Sequence, residues 1–252
     1  RLLTDDELQT YRDDGFVVVE NLLTPEEIAG LQKRLHEYTH EGRSTEKVKV
    51  SIEPRIERGE LTVEIPGDGI RKIDGLVEND EFYNKLGLHP NIVGIMQQIL
   101  GPDIKMFRNS LLLKPPEVGS QKGMHQDSPY WPIKPMELCS CWFAIDDATE
   151  ENGCMHYIPG SHRWGLLEKT GLAGNMDSVR EVLTPTQVSD FEKQRPIVLN
   201  KGECSFHHPL MMHGSYENKS NQPRRATVIN ILGDGVTSNW DGAHSPGTEN
   251  FP

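Results

Sequence analysis

Two histidines, an aspartate and an arginine have the residue types and spacing to bind a metal ion together with an anionic ligand. His125-Gln126-Asp127 lies near the middle of the chain, His213 follows 88 residues after His125, and Arg224 lies eleven residues further on. In an extended strand, residues i and i+2 point to the same face, so His125 and Asp127 are expected to share one ion while Gln126 faces away. Two imidazoles and one carboxylate bind non-haem Fe(II) on one octahedral face and leave the other positions open.

Arg224 extends this chemistry to a co-substrate. A guanidinium fixes a carboxylate with two parallel hydrogen bonds, so Arg224 is expected to anchor a carboxylate whose molecule chelates the open metal positions. Arg225 points the opposite way in a strand and is expected to face solvent. His125, Asp127 and His213, as metal-binding and catalytic residues, together with Arg224 predict an oxygen-activating enzyme.

The spacing is a weak signal by itself, because a chain with 10 histidines and 38 acidic residues produces His-x-acidic pairs by chance. A hydrogen-bonded His/Asp pair on a strand and a core histidine are the plainer interpretation. The context favours a metal site at the mouth of a barrel. The His125 segment follows a loop with proline and glycine at residues 114–119, and Arg224 precedes a strongly apolar segment at residues 226–232.

Composition limits the partners. The formal net charge is −12 and the pI is about 5.3, whereas nucleic acid and anionic membranes select basic surfaces, so neither is expected as a main partner. No apolar run reaches the roughly 18 residues of a membrane span, and no signal peptide pattern is present. The four cysteines lack zinc-ligand spacing, which predicts reduced, buried thiols. We expect a cytoplasmic protein acting on a small molecule, with its oligomeric state undetermined.

Helix signals mark the first hundred residues. Capping boxes at Thr4 and Thr24 predict two helices, the second running to about His40, with a short strand at residues 16–19 between them. Two more helices are predicted near residues 80–88 and 90–100. Weak alternation at residues 48–52 and 61–65 predicts short strands within a long excursion over residues 42–75, read as a lid over a site.

Short strands dominate the rest of the chain, which predicts a jelly roll or barrel. The candidate strands are residues 104–113, 124–127, 138–145, 154–158, 197–199, 203–206, 211–214 and 226–232. An irregular, partly helical insertion is expected at residues 165–195. The chain is therefore interpreted as a single domain, residues 1–252, with a helical support and lid region (1–102), a jelly-roll core (103–235) and a tail (236–252).

Several short motifs occur in an order typical of one family. They are residues 14–18 (DGFVV), 125–132 (HQDSPYWP), 142–149 (WFAIDDAT), 151–154 (ENGC), 158–162 (IPGSH), 213–215 (HGS) with Asn218, and 223–226 (PRRA). In this combination the chain resembles the phytanoyl-CoA dioxygenase branch of the Fe(II)/2-oxoglutarate oxygenases, from about Glu7 to Leu232. Each motif is unspecific alone, and the specificity lies in the order and combination.

The resemblance implies a mainly β fold with α-helices, in which a double-stranded β-helix (a cupin-like jelly roll) is supported by N-terminal helices. It implies Fe(II) on His125, Asp127 and His213, with O2 as oxidant. It implies 2-oxoglutarate on the iron, with its far carboxylate on Arg224 and Ser215, and with Trp142 and Lys72 as further contacts. The implied reaction hydroxylates, or otherwise oxidises, an unactivated C–H bond and converts 2-oxoglutarate to succinate and CO2.

Asp127 also bears on the outcome of the reaction. Related halogenases have a small residue at this place, which frees a position for chloride, so Asp127 favours hydroxylation and disfavours halogenation. Candidate substrate contacts are Gln126, Tyr130, Trp131 and Asn109. The substrate is expected to be a small organic molecule, and an acyl-CoA is not favoured. Two alternatives stay open, a cupin-like hydrolase or isomerase using Zn(II) or Mn(II), and a catalytically silent jelly-roll binding module.

Overall fold

The computed structural model describes residues 1–44, 46–131, 133–167 and 175–238. Within these ranges the α-helices are α1 (Asp5–Asp14), α2 (Pro25–His40), α3 (Pro54–Glu57), α4 (Leu76–Asn79), α5 (Glu81–Gly87), α6 (Pro90–Leu100) and α7 (Pro185–Phe191). The strands are β1 (Phe16–Val19), β2 (Lys49–Ile52), β3 (Ile70–Asp74), β4 (Ile104–Lys114), β5 (Lys122–His125), β6 (Ile133–Lys134), β7 (Leu138–Ala144), β8 (Met155–Tyr157), β9 (Arg195–Ile197), β10 (Cys204–His207), β11 (His213–Ser215), β12 (Arg224–Gly233) and β13 (Thr237–Ser238).

Local sequence sets the N-terminal helices. The Thr4 and Thr24 hydroxyls each accept a hydrogen bond from the backbone N–H of the glutamate three residues later, and each glutamate side chain accepts one in return. These capping boxes satisfy backbone N–H groups that the first turn of a helix leaves free. α1 ends at Gly15, whose φ of +83° is a left-handed conformation that glycine adopts without strain. The predicted helices and the strand between them are confirmed.

Two antiparallel sheets form the body of the protein. The large sheet has the strand order β1-β10-β7-β12-β4-β3-β2, and the small sheet has the order β5-β11-β8-β9. A short third sheet pairs β13 with β6. The large sheet packs one face on the helices and turns the other toward the small sheet. The predicted fold class, a mainly β jelly roll with N-terminal helical support, is confirmed.

Residues 42–75 differ from expectation. β2 and β3 join the edge of the large sheet beside β4, so this part of the excursion belongs to the sheet. The strand predicted at residues 61–65 is wrong, and the strand Ile70–Asp74 was missed because its sequence is polar and lacks strict alternation. Residues 168–174 of the predicted insertion and residues 239–252 of the predicted tail lie outside the described residues.

The two faces of the large sheet have different composition. Leu111, Cys141, Phe206 and Ile229 belong to the apolar core shared with the helices. Their sequence neighbours on the opposite face line a cavity between the sheets, as described below. All four cysteines are free and buried, as expected. Among the described helices, none combines the length and apolar character needed to cross a bilayer.

Candidate metal and co-substrate site

His125, Asp127 and His213 meet at one end of the small sheet. His125 ends β5 and His213 begins β11, and the two residues are directly paired in the antiparallel register. The Asp127 Oδ1 atom lies 3.7 Å from His125 Nε2 and 3.8 Å from His213 Nε2. The three ligand atoms lie within 4.8 Å of one another, a separation that one metal ion can bridge.

The position of Asp127 has a different origin from the one expected. β5 ends at His125, and Asp127 has helical backbone angles (φ −75°, ψ −35°) at the start of the 3-10 turn Ser128–Tyr130. Ser128 anchors this turn by donating from its backbone N–H and its hydroxyl to the Pro209 carbonyl. The carboxylate therefore reaches the histidines through a turn, and the expectation of strand alternation between His125 and Asp127 is wrong.

Backbone carbonyls orient both imidazoles. The Nδ1 atom of His125 lies 2.7 Å from the Gly123 carbonyl oxygen, and that of His213 lies 2.9 Å from the Met211 carbonyl oxygen. Since a carbonyl only accepts, each Nδ1 donates its proton to the backbone, and each Nε2 is the ring nitrogen left to bind a metal. Burial, reinforced by His213 and Lys122, holds the pKa of His125 well below its usual range. A neutral imidazole is the form that binds metal, so the donor set fits Fe(II).

Arg224 is a buried cation without a protein anion. Its side chain is 4% exposed, and its Nε and Nη1 atoms have no hydrogen-bond partner among the described residues. The guanidinium lies 5.4 Å from the ring centroid of Trp142, whose Nε1 is also buried without a partner. Burial lowers the pKa of Arg224 to about 10, so the group stays charged at neutral pH. Unpaired buried charges are costly, and an incoming carboxylate would satisfy this one.

One cavity of about 490 Å³ joins these groups. Nine of the sequence-predicted site residues line it, namely Lys72, His125, Asp127, Tyr130, Trp131, Trp142, His213, Ser215 and Arg224. Lys72 is partly committed, because its Nζ lies 2.8 Å from Asp74 Oδ2. Burial lowers the pKa of Lys72, and the Asp74 carboxylate opposes that shift. The cavity thus holds both the metal-binding triad and the arginine.

Gln126 and Asn109 are not among the residues that line the cavity. The Gln126 amide donates to the carbonyls of Gly165 and Leu210 and accepts from the Leu167 N–H, so it fixes loops around the Asp127 turn. Asn109 lies on the helix side of the large sheet, where its amide donates to Thr227. Its neighbour Arg108 faces the cavity instead. Their prediction as substrate contacts is corrected, because strand parity turns Asn109 away and loop bonds occupy Gln126.

His207 is a site residue that the sequence interpretation missed. The strand predicted at residues 203–206 stops one residue short of it, whereas His207 ends β10, is 2% exposed and lines the cavity. Its ring centroid lies 5.2 Å from that of His213, and its Nδ1 lies 3.0 Å from the Tyr157 hydroxyl. Burial and the adjacent His213 hold the pKa of His207 well below its usual range. Pro209, two residues later, concealed the extension of this strand to His207.

Comparison with known proteins agrees with this geometry. The family model for phytanoyl-CoA dioxygenase (PhyH) matches residues 11–226. The chain therefore belongs to the phytanoyl-CoA dioxygenase family, and with it to the oxygenases that depend on Fe(II) and 2-oxoglutarate and use O2. The match covers the triad and Arg224, and the family resemblance inferred from the motifs is confirmed.

Individual relatives are distant. The chain is 28% identical over 233 residues to the peroxisomal phytanoyl-CoA dioxygenase of Mus musculus, covering 89% of this chain and 67% of that protein. It is 26% identical over 271 residues to phytanoyl-CoA dioxygenase domain-containing protein 1 of Danio rerio, covering 92% and 90%.

Solved structures share the fold at low identity. EctD from S. alaskensis with 2-oxoglutarate and 5-hydroxyectoine superposes with a TM-score of 0.73 at 19% identity, covering 92% of this chain and 76% of that one. The non-heme alpha ketoglutarate dependent epimerase SnoN from nogalamycin biosynthesis superposes with a TM-score of 0.70 at 20% identity, covering 97% and 90%.

Proposed function

We propose that this protein hydroxylates an unactivated C–H bond of a small organic substrate, with Fe(II) on His125, Asp127 and His213 and with the far carboxylate of 2-oxoglutarate on Arg224 and Ser215. In the balanced reaction, R–H, 2-oxoglutarate and O2 give R–OH, succinate and CO2. One observation carries the proposal: a buried, partnerless guanidinium shares a cavity with two imidazoles and a carboxylate that converge on one point.

The residues of the chain perform distinct tasks in this reaction. When bound, the iron with its co-substrate and O2 supplies an oxidant strong enough to attack a C–H bond. His125 and His213 present Nε2 in fixed orientations because the backbone holds their Nδ1 atoms. Arg224 neutralises and aligns the far carboxylate, with Trp142 lying against its guanidinium. The two sheets enclose the site, which limits access of water to the reacting groups.

A small substrate fits the described surroundings better than an acyl-CoA. Three lysines, Lys114, Lys122 and Lys134, are the candidates for a CoA pocket, and Lys114 is buried and donates to backbone carbonyls, including that of Ser120 at 2.8 Å. Lys122 lies inside the cavity, and Lys134 lies on β6 outside its lining. These lysines do not converge on one exterior patch, which a large polyanionic carrier would require. Substrate assays that compare small acids with acyl-CoA thioesters test this part of the proposal.

The cofactor chemistry is tested by anaerobic titration of Fe(II) and 2-oxoglutarate, with the visible charge-transfer band of the chelate as the readout. We expect a band in the wild type, no band in His125→Ala, and about 100-fold weaker 2-oxoglutarate binding in Arg224→Gln, because a buried charge loses its partner. Arg225→Gln is the matched control, since Arg225 pairs with Asp146 at 2.6 Å and does not line the cavity.

A second control is His156→Gln, which removes a histidine of the small sheet that contacts Tyr216 and does not line the cavity. This variant should keep the band. A folded, iron-loaded wild type without a band would contradict the proposal. Turnover without O2 or 2-oxoglutarate, in the presence of Zn(II) or Mn(II), would instead support a hydrolase or isomerase. Retained function in His125→Ala would support a binding module.

A further inference from the structure

The cavity contains two cations that the proposed iron and co-substrate chemistry does not use. Arg71 and Lys122 both line it. Neither forms a hydrogen bond or an ion pair with any residue in the described part of the chain. This differs from Lys72 and Arg108, which both pair with Asp74 at 2.8 Å. Of the cavity cations, only Arg71, Lys122 and the co-substrate arginine therefore lack a protein partner.

A β-bulge directs Arg71 into the cavity. On β2, Ser51 pairs with Lys72 and Ile52 pairs with Ile70, so Arg71 is an extra residue on β3 with no partner on β2. Side chains normally alternate between the two faces of a strand, which would place Arg71 and Lys72 on opposite faces. The bulge bends the strand and brings both side chains to the cavity side.

A second bulge acts on Lys122. His213 pairs with His125 and Ser215 pairs with Lys122. The step from Lys122 to His125 on β5 spans three residues, and the matching step on β11 spans two, so β5 contains one extra residue. In a regular strand, residues three positions apart, such as Lys122 and His125, point to opposite faces of the sheet. The bulge places Lys122 on the same face as the metal-binding histidines. Bulges beside active sites commonly re-aim side chains in this way.

The two cations act on each other electrostatically. Burial lowers the pKa of Lys122 to about 8, and the positive charges of Arg71 and Lys72 add to this effect. The charge of Arg71 also helps to lower the pKa of Arg224, after the larger effect of burial. The cavity has six basic side chains against three acidic ones, although the whole chain has a net charge of −12. The unpaired positive charges in the cavity repel one another, and binding of an anion would offset this repulsion.

Apolar side chains complete the lining of the cavity. Ile52, Leu112, Val228 and Trp131 face the same cavity. Specific pockets commonly combine such an apolar lining with a few charged groups that fix the orientation of the ligand. A ligand that complements this part of the cavity has an apolar body and a negatively charged end.

Building on the proposed function, we infer that the substrate is an organic acid whose anionic group binds between Arg71 and Lys122, separately from the 2-oxoglutarate carboxylate on Arg224. The charge holds one end of the molecule, and the apolar body extends toward the triad. The distance of each C–H bond from the anchored anionic group then decides which bond lies at the triad and is oxidised. A free acid satisfies this site, whereas the carbonyl of an amide is neutral and does not.

The test uses protein saturated anaerobically with Fe(II) and 2-oxoglutarate, so that the co-substrate site is filled. Calorimetry measures the affinities of matched acid and amide pairs, namely acetate with acetamide, butyrate with butyramide, and octanoate with octanamide. We expect at least one acid to bind ten-fold or more tightly than its amide, because charge-assisted hydrogen bonds are stronger than those between neutral groups. Butyl phosphate in the same assay distinguishes a phosphate site from a carboxylate site.

Arg71→Gln and Lys122→Gln should each reduce the preference for the acid about ten-fold and leave 2-oxoglutarate affinity within two-fold of wild type. Arg71→Lys keeps the charge and should retain most of the preference. Controls are Arg225→Gln and Lys85→Gln, because Lys85 is an exposed helix residue paired with Glu81. Arg71 and Lys122 have no protein partner, Lys85 lies on the surface, and Arg225 is half-buried beside Asp146, so each of these variants should fold.

Two results would overturn the inference. One is a wild type that binds no acid more tightly than its amide. The other is a loss of 2-oxoglutarate affinity in Arg71→Gln and Lys122→Gln, which would make these residues part of the co-substrate site. The co-substrate band of the wild type reports the proposed function independently, so the two proposals fail separately.

Discussion

The two faces of the large sheet are made by alternate residues of the same strands, yet they do opposite things. On β10, Phe206 is fully buried against the helix-side core, while His207 turns to the cavity. On β12, Ile229 faces the helices, while Val228 and Arg224 face the cavity. One face buries apolar area, and the other holds charges and polar atoms that lack protein partners.

The difference shows where stability and function are located. Apolar burial is the main favourable contribution to folding, and the helix face supplies it. The cavity face contains features that weaken folding, including the partnerless Arg224 and the mutually repelling cations around it. Such local conflicts are expected at functional sites, where a ligand supplies the missing partner. Substitutions on each face separate the two contributions by experiment.

The largest effect on stability is expected on the helix face. Phe206→Ala should lower the free energy of unfolding by about 3–5 kcal/mol, because it removes a fully buried aromatic ring and leaves a cavity. Chemical denaturation measures this loss. The matched change on the cavity face, Ser205→Ala, removes a hydrogen bond with Tyr157 and should cost about 1 kcal/mol. Equal losses in both variants would contradict the division between the faces.

Arg224→Met should raise the free energy of unfolding, in contrast to Phe206→Ala. Without 2-oxoglutarate, replacing this buried, partnerless charge by an apolar side chain should stabilise the protein by about 1–3 kcal/mol. Affinity for 2-oxoglutarate should fall about 100-fold in the same variant. Arg225→Met is the control, since it breaks the paired contact with Asp146 and should not stabilise. Thermal unfolding with and without 2-oxoglutarate measures both effects, and destabilisation by Arg224→Met would refute the argument.

The smallest expected effect is on the pH dependence of stability, which should have an acid limit set on the cavity face and an alkaline limit set on the helix face. His207 stays neutral in the folded, metal-free protein, so unfolding gains a proton below pH 6.5 and stability should fall as the pH drops from there. On the helix face, burial raises the pKa of Cys139, so stability should fall as the pH rises above 9, where the unfolded thiol ionises. Each group contributes at most about 1.4 kcal/mol per pH unit.

Unfolding curves between pH 5 and 10 check this pair of limits. His207→Gln should flatten the acid side alone, and Cys139→Ala should flatten the alkaline side alone. An acid side that is unchanged in His207→Gln would show that other groups set that limit.

Much of the architecture follows from local sequence. The capping boxes at Thr4 and Thr24 fix helix starts because the bonds involved span three residues. Side-chain direction on β12 follows strand parity, which places Ile229 on the helix side and Arg224 and Val228 on the cavity side. The order of short motifs identified the family, and the family model matches residues 11–226.

Other features depend on partners that are distant in sequence. Asp127 reaches the histidines through a turn held by Pro209, 82 residues away, so strand periodicity gave the right residue for the wrong reason. His207 was concealed by a neighbouring proline, and its burial beside His213 follows from pairing with β7. Asn109 was predicted as a substrate contact, whereas it pairs with Ile229 of β12 and points to the helix side of the sheet.

The sequence by itself determined the residue types for iron and co-substrate, the helix starts and the alternation of most strands, because those depend on chemical identity and on contacts within a few residues. Only the tertiary structure decided that Arg71 and Lys122 face the cavity. A β-bulge, which is one extra residue relative to the paired strand, directs each side chain. A bulge exists only through the pairing with that neighbouring strand. A one-residue change of register exchanges the faces of a strand, so long-range pairing determined the charge of the cavity.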